Sequence, residues 1–320
     1  MNNKLIVILG PTASGKTDLS IKLAKKFQGD VVSADSRQVY KGMDIGTGKI
    51  TKKGRKGIPH YLLDVASPKK IFSVSQYQKL AMQAIKKIQG KNRIPFLIGG
   101  TGFYIQSVVD GIIIPKVKPD WKLREKLEKE TAEKLFLKLE KLDLRRAENI
   151  DKNNKRRLIR AIEIAMKTKK PVPLLEKKQP PFEALIIGVR INPEELKKMI
   201  KKRLLKRLRN GMINEVEKLH KQGVSWKRLE EFGLEYRHIA LYLQKKITLP
   251  ATLCKRAYSP SRIATRNVAG EAKQKMIEKI QKESEHYAKR QMTWFKRDKR
   301  IYWIKNPKQT EKLVKNFLKK

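Results

Sequence analysis

The run Gly10-Pro11-Thr12-Ala13-Ser14-Gly15-Lys16-Thr17 matches G-x-x-x-x-G-K-[ST] at every fixed position, and it restricts the possible folds more than any other stretch. Before it, Leu5-Ile6-Val7-Ile8-Leu9 reads as a buried strand. After it, Leu19, Leu23, Ala24 and Phe27 recur at helical spacing. Strand, glycine turn and helix in that order are the setting of a phosphate loop. Gly10 and Gly15 let backbone N–H groups close on a phosphate across Thr12, Ala13 and Ser14, and the helix start adds partial positive charge. Lys16 supplies a full charge and Thr17 a hydroxyl able to ligate Mg²⁺. The stretch predicts a di- or triphosphate site of the kind found in nucleotide-binding, ATP-binding folds.

Further apolar runs lie at residues 31–34, 94–98 and 185–191, and amphipathic helices separate them. The clearest helix carries Tyr77, Leu80, Ala81, Ala84, Ile85 and Ile88 on one stripe. This alternation predicts an α/β fold, a P-loop NTPase-like parallel sheet flanked by helices. The first part of that core spans residues 1–115. Residues 116–183 change to charged helices punctuated by Pro115, Pro119, Pro171, Pro173, Pro180 and Pro181, which predicts a helical insertion. Residues 184–320 return with the last core strand and then a helical C-terminal region. Within it, residues 248–275 lack clean periodicity and read as a basic loop.

A net charge of +45 favours a polyanionic partner, nucleic acid first. A lysine-rich proteome is the bland source for part of that excess. Residues 1–115 carry 19 basic and 6 acidic side chains, and the remainder 57 and 25, so a polyanion can lie across both halves. Cys254 is the only cysteine, which excludes an internal disulfide and a multi-cysteine zinc site. No apolar run approaches about 20 residues, so no membrane span is expected. The first strand starts almost at the amino terminus, which leaves no room for a signal peptide, and the cytoplasm is the expected location. Nothing demands more than a monomer.

In a parallel sheet, ligands sit beyond the carboxyl ends of the strands. Asp35 follows Val31-Val32-Ser33-Ala34, where a carboxylate can hold Mg²⁺ through water, take a proton from a nucleophile, or merely cap a turn. Gln38 offers an amide suited to an adenine edge. Gly99-Gly100-Thr101-Gly102 ends another strand, and the Thr101 hydroxyl can reach a phosphate. Arg203 falls inside the apolar stripe Leu196, Met199, Ile200, Leu204 and Leu208, so it needs an anionic partner or forms a surface ion pair. Tyr287–Phe295 interleaves aromatic and basic residues; it suits nucleic acid, or else buries Trp294 and Phe295 in the core.

Taken together, G-P-T-A-S-G-K-T at 10–17, S-A-D-S-R-Q-V-Y at 33–40 and G-M-D-I-G-T at 42–47 resemble the bacterial-type tRNA dimethylallyltransferases, the tRNA isopentenyltransferase (IPP transferase) family. So do Pro59–Asp64, Gly99–Tyr104, Arg157-x-x-Arg160-Ala161-Ile162-Glu163 and Tyr287–Phe295. The matches run nearly from end to end. The resemblance implies transfer of a dimethylallyl group from dimethylallyl diphosphate to N6 of the adenosine on the 3′ side of the tRNA anticodon. It makes Asp35 the base and places Lys16, Thr101 and Arg203 around the leaving diphosphate, with Mg²⁺ sharing the charge. It also implies contacts to the tRNA anticodon stem-loop from Asp35, Ser36, Arg37, Gln38, Thr101, Arg124, Arg156, Arg157, Leu158, Ile159, Arg160, Tyr236, Arg237, Gln291 and Trp294.

The chain departs from the family pattern in places. Phe232-Gly233-Leu234-Glu235-Tyr236-Arg237 stands where A-I-G-Y-K is usual, Ser284-Glu285 replaces Thr-Arg, and Asn154 replaces aspartate. Met199 and Arg207 exchange the usual arginine and methionine around Arg203. Three other readings compete: a P-loop kinase, an isopentenyltransferase that uses free AMP, and a basic RNA-binding NTPase. The kinase would need ATP at Lys16 and a second acidic motif beyond Asp35 or Asp64. The AMP enzyme leaves the basic surface without purpose, and the NTPase predicts RNA binding without product.

Overall fold

The computed structural model describes residues 3–174, 176–247, 262–304 and 307–319. They divide into two compact units, one of residues 1–109 with 180–320, the other of residues 110–179. The second unit therefore starts and ends a few residues before the composition change read at 116–183.

The first unit is built on six parallel strands, β1 (Lys4–Leu9), β2 (Gly29–Ala34), β3 (His60–Tyr61), β4 (Ile94–Gly99), β5 (Glu183–Val189) and β6 (Tyr302–Ile304). Their order is β3-β2-β4-β1-β5-β6. The phosphate loop joins β1 to α1 (Lys16–Lys26), and α2 (Val74–Gln89) and α3 (Gly102–Val109) flank β4 in sequence. The second unit holds α4 (Trp121–Glu128), α5 (Ala132–Leu142), α6 (Leu144–Glu148) and α7 (Lys155–Thr168). After β5 the first unit continues through α8 (Pro193–Arg209), α9 (Met212–Lys221), α10 (Trp226–Glu231), α11 (Leu234–Leu243), α12 (Arg262–Phe295) and, after β6, α13 (Pro307–Lys319).

Alternate β1 side chains point to opposite faces. Leu5, Val7 and Leu9 join one core with residues of α2, α3, α8, α9 and α11, while Ile6 and Ile8 join another with Ile21, Leu23 and Val314. Because both faces are covered, the central strands carry unbroken apolar runs rather than alternating ones. The capping box of Ser73 and Gln76 starts α2. In the second unit, Leu127, Leu135, Leu139, Leu158 and Ile162 form a separate core.

One expectation is corrected here. Residues 262–275, expected in a basic loop, belong to α12. From Arg262 onward the stretch is rich in Ala, Lys, Gln and Glu with no proline, so helix propensity carries it despite its irregular apolar spacing. The rest of that stretch, residues 248–261, lies outside the described residues.

Candidate active site

The loop after β1 takes its shape from two left-handed residues, Ala13 (φ 65°) and Gly15 (φ 76°). Gly15 stands just before α1, and a Cβ there would meet nothing, so only its backbone conformation asks for glycine. Ala13 adopts the same region at a cost of about 1 kcal/mol, strain of the kind stored where a loop is shaped for a ligand. Lys16 Nζ donates to the Pro11 carbonyl at 3.0 Å, which folds the ammonium back over the loop.

Three post-strand turns meet at one cleft. Thr12, Lys16 and Thr17 line it from the phosphate loop, Asp35 and Gln38 from the turn after β2, Gly99 from β4 and Arg203 from α8. Val31, Ile50, Leu63 and Ile98 add apolar surface. The Asp35 carboxylate closes its own turn, with Oδ1 accepting from the N–H groups of Arg37 (2.8 Å) and Gln38 (3.3 Å). Among the described residues no hydrogen bond reaches Oδ2, so that oxygen is available to a ligand. Thr101 Oγ1 accepts from the Ser36 N–H at 3.0 Å and ties the glycine turn to the Asp35 turn.

Positive charge is concentrated at the loop. Burial and then Arg203 push the Lys16 ammonium down to about 8, against the opposing pull of Asp35. Arg203 donates to Thr12 Oγ1, and burial followed by Arg207 lowers its guanidinium below the ordinary range. An anion entering the cleft relieves both cations. Tyrosines surround the Asp35 turn: Tyr77 stacks on Tyr104 at 3.9 Å, and burial pushes Tyr287 up to about 12. They stay neutral and supply ring surface without competing as bases.

A second layer sets the cleft wall. Glu215 accepts from three successive N–H groups, Asp44 (2.8 Å), Ile45 (2.6 Å) and Gly46 (2.9 Å), and from the Tyr236 hydroxyl (2.7 Å). Arg207 donates to the Gly46 carbonyl and to Glu235, both at 2.9 Å. The Gln38 amide donates to the Thr47 and Gly48 carbonyls and accepts from Ser33 Oγ. Lys49, with its side chain 4% exposed, binds Asp44 and Asp64 at 2.6 Å each, so Asp64 serves an internal ion pair. Glu215 carried no sequence signal, because its partners are backbone N–H groups of distant residues.

The residues expected to meet RNA divide. Ser36, Arg37, Gln38 and Thr101 are partly exposed at the cleft turns, and Arg37 lies over the Phe232 ring at 5.6 Å. Arg156 and Arg157 are exposed on α7. Arg237 is partly exposed and donates to the Glu230 carbonyl. Trp294 is half-buried, edge-on to Phe103.

Six of the expected RNA contacts are engaged in the protein's own packing, hydrogen bonds or ion pairs. Leu158 (0% exposed) and Ile159 (4%) are core residues, because a helix cannot turn five successive side chains to one side. Tyr236 is 2% exposed with its hydroxyl spent on Glu215. Gln291 is 6% exposed and its amide binds protein backbone. Arg124 and Arg160 are one-third exposed or less, and both pair with Glu163, which is fully buried.

Residues 38–298 match the family model for IPP transferase. A tRNA dimethylallyltransferase of Acetivibrio thermocellus is 38% identical, over 98% of this chain and 96% of that protein. Another from Carboxydothermus hydrogenoformans is 37% identical over 99% of this chain and the whole of that protein. Among solved structures, the tRNA isopentenylpyrophosphate transferase of Bacillus halodurans superposes with a TM-score of 0.69 at 32% identity, covering 99% of this chain and 97% of that one. A eukaryotic dimethylallyltransferase captured acting on tRNA gives 0.70 at 25% identity, over 92% of this chain and 70% of that one.

Proposed function

The chain belongs to the IPP transferase family and transfers a dimethylallyl group to tRNA, and from that premise we propose the donor, the acceptor atom and the residues that act on each. The donor is dimethylallyl diphosphate. Its diphosphate lies on the loop from Thr12 to Thr17, with Lys16 and Arg203 on the oxygens. The acceptor is N6 of the adenosine on the 3′ side of the anticodon.

An exocyclic adenine amine is a weak nucleophile, because its lone pair is delocalised into the ring. As N6 bonds to the allylic carbon, the C–O bond breaks and both its electrons leave with the diphosphate. Asp35 Oδ2 takes the proton that N6 loses. Charge grows on the departing oxygen as this happens, and Lys16, Arg203 and the loop N–H groups meet it in a fixed arrangement. Thr17 and water offer the hard oxygen ligands that Mg²⁺ favours beside a phosphate. When bound there, the ion neutralises part of the leaving group's charge. Thr101 holds the Asp35 turn through Ser36, and Gln38 presents an oxygen acceptor whose orientation its two carbonyl partners fix.

The observation that carries this reading is the single cleft shared by Lys16, Arg203 and the unengaged oxygen of Asp35. No helix among the described residues is long and apolar enough to cross a membrane; we place the enzyme with its tRNA in the cytoplasm. Exposed Arg156 and Arg157 are assigned to tRNA phosphates. The test is to incubate the protein with Mg²⁺, dimethylallyl diphosphate and bulk tRNA, then digest the RNA and weigh its nucleosides. Isopentenyladenosine is expected. Nucleotide-dependent phosphorylation of an acceptor, with the tRNA unaltered, would replace this reading with a kinase.

A further inference from the structure

The two motifs that sequence reading kept apart, the glycine turn at 99–102 and the aromatic stretch at 287–295, make one device. Tyr287, Gln291 and Trp294 recur at helical spacing on α12 and form a stripe. Gln291 Oε1 accepts from the Thr12 N–H at 2.8 Å, and its Nε2 donates to the Gly100 carbonyl at 2.8 Å. Tyr287 stands beside the Thr101 side chain. Trp294 fills the space over Gly102, where a Cβ would collide with its ring; a Cβ on Gly100 would collide with Gln291 Nε2. Glycine is needed at both positions because this helix comes so close.

Building on the proposed donor site, we propose that Gln291 is a positioning residue for donor binding. Its amide clamps the phosphate loop to the glycine turn and thereby fixes where the Thr12 N–H and hydroxyl stand. Thr12 is then held from two sides, by Gln291 from α12 and by Arg203 from α8. A buried amide with both ends engaged has no freedom to rotate, and losing it leaves a part-buried N–H and a buried carbonyl unpaired. The diphosphate would then meet a loop that has to be ordered again at each binding event. Gln291 acts through the loop without touching the base that is modified.

The test compares the wild type with Gln291→Met, which keeps the volume and loses both hydrogen bonds, and with Gly100→Ala, whose methyl displaces the amide from the opposite side. Each should raise KM for dimethylallyl diphosphate about tenfold, the loss expected for one buried hydrogen-bonding group. The dissociation constant for tRNA should stay within about twofold of the wild type. Donor KM in Gln291→Met equal to the wild type would mean that the side chain only fills space, and would overturn the clamp. So would weakened tRNA binding at unchanged donor KM, which would make Gln291 an RNA contact. Hydrogen exchange on the wild-type loop needs no variant: the Thr12 amide should be protected, and free exchange would also refute the clamp. If the wild type makes no isopentenyladenosine, the donor assignment fails instead, and the two failures remain distinct.

Discussion

Lys16 offers a quantitative test of the anion cradle. In the free protein, burial and Arg203 hold its ammonium at about 8. A bound diphosphate stabilises the charged form, so the Lys16 pKa rises on binding, to the ordinary lysine value of about 10.4 or above. The sign follows: above the free-state value, binding must take up a proton, and affinity falls as pH rises. With a free-state value of about 8, the charged fraction drops from about nine-tenths at pH 7 to about one-tenth at pH 9. The dissociation constant should therefore rise about tenfold over that range, or about 1.4 kcal/mol. Calorimetric titration with inorganic diphosphate measures it directly. Lys16→Arg is the control, since a guanidinium keeps its charge and should remove most of the pH dependence. A wild-type constant that is flat from pH 7 to pH 9, or a parallel fall in Lys16→Arg, would show that Lys16 does not carry the anion.

Three further outcomes follow from the geometry. Asp35→Ala should lower single-turnover prenyl transfer by about 10²–10⁴ while leaving tRNA affinity nearly unchanged, because the carboxylate acts mainly in the transition state; a wild-type rate would dismiss it as the base. Glu163→Ala should cost about 3 kcal/mol of stability in denaturant titration, since it strips the partner from both Arg124 and Arg160 in the second unit. Burial raises the Glu163 carboxyl, yet Arg124, the Asp120 N–H and Arg160 together hold it below the usual range. Its contribution is thus present above the ordinary glutamate value and lost as pH falls through the lowered one. Finally, Arg156→Ala and Arg157→Ala should each reduce the salt slope of tRNA binding by about one, and an unchanged slope would take the phosphate contacts elsewhere.

The parts of this architecture that could be read in advance are those set by short-range rules. Buried central strands announce themselves as apolar runs, so β1, β2, β4 and β5 were legible, as was the placing of ligand groups at their carboxyl ends. The edge strands β3 and β6 were not, because a two- or three-residue strand is too short to show a period. The α8 stripe left Arg203 open between an inward cation and a surface ion pair, and its Thr12 partner was not legible. The Gln291 clamp was out of reach for the same reason: Thr12 lies 279 positions away and Gly100 lies 191. The stretch 156–160 shows the opposite error. Read as a continuous RNA-contacting segment, it alternates by helical geometry between exposed arginines and core Leu158 and Ile159.

The central claim is that a phosphate loop here withdraws diphosphate from an isoprenoid while Asp35 deprotonates an RNA amine. The most direct measurement is the stoichiometry of one reaction containing protein, Mg²⁺, dimethylallyl diphosphate and tRNA, with no nucleotide triphosphate added. The account predicts one diphosphate released for each isopentenyladenosine formed. Diphosphate released without modified nucleoside, or modification that begins only when ATP is supplied, would contradict it.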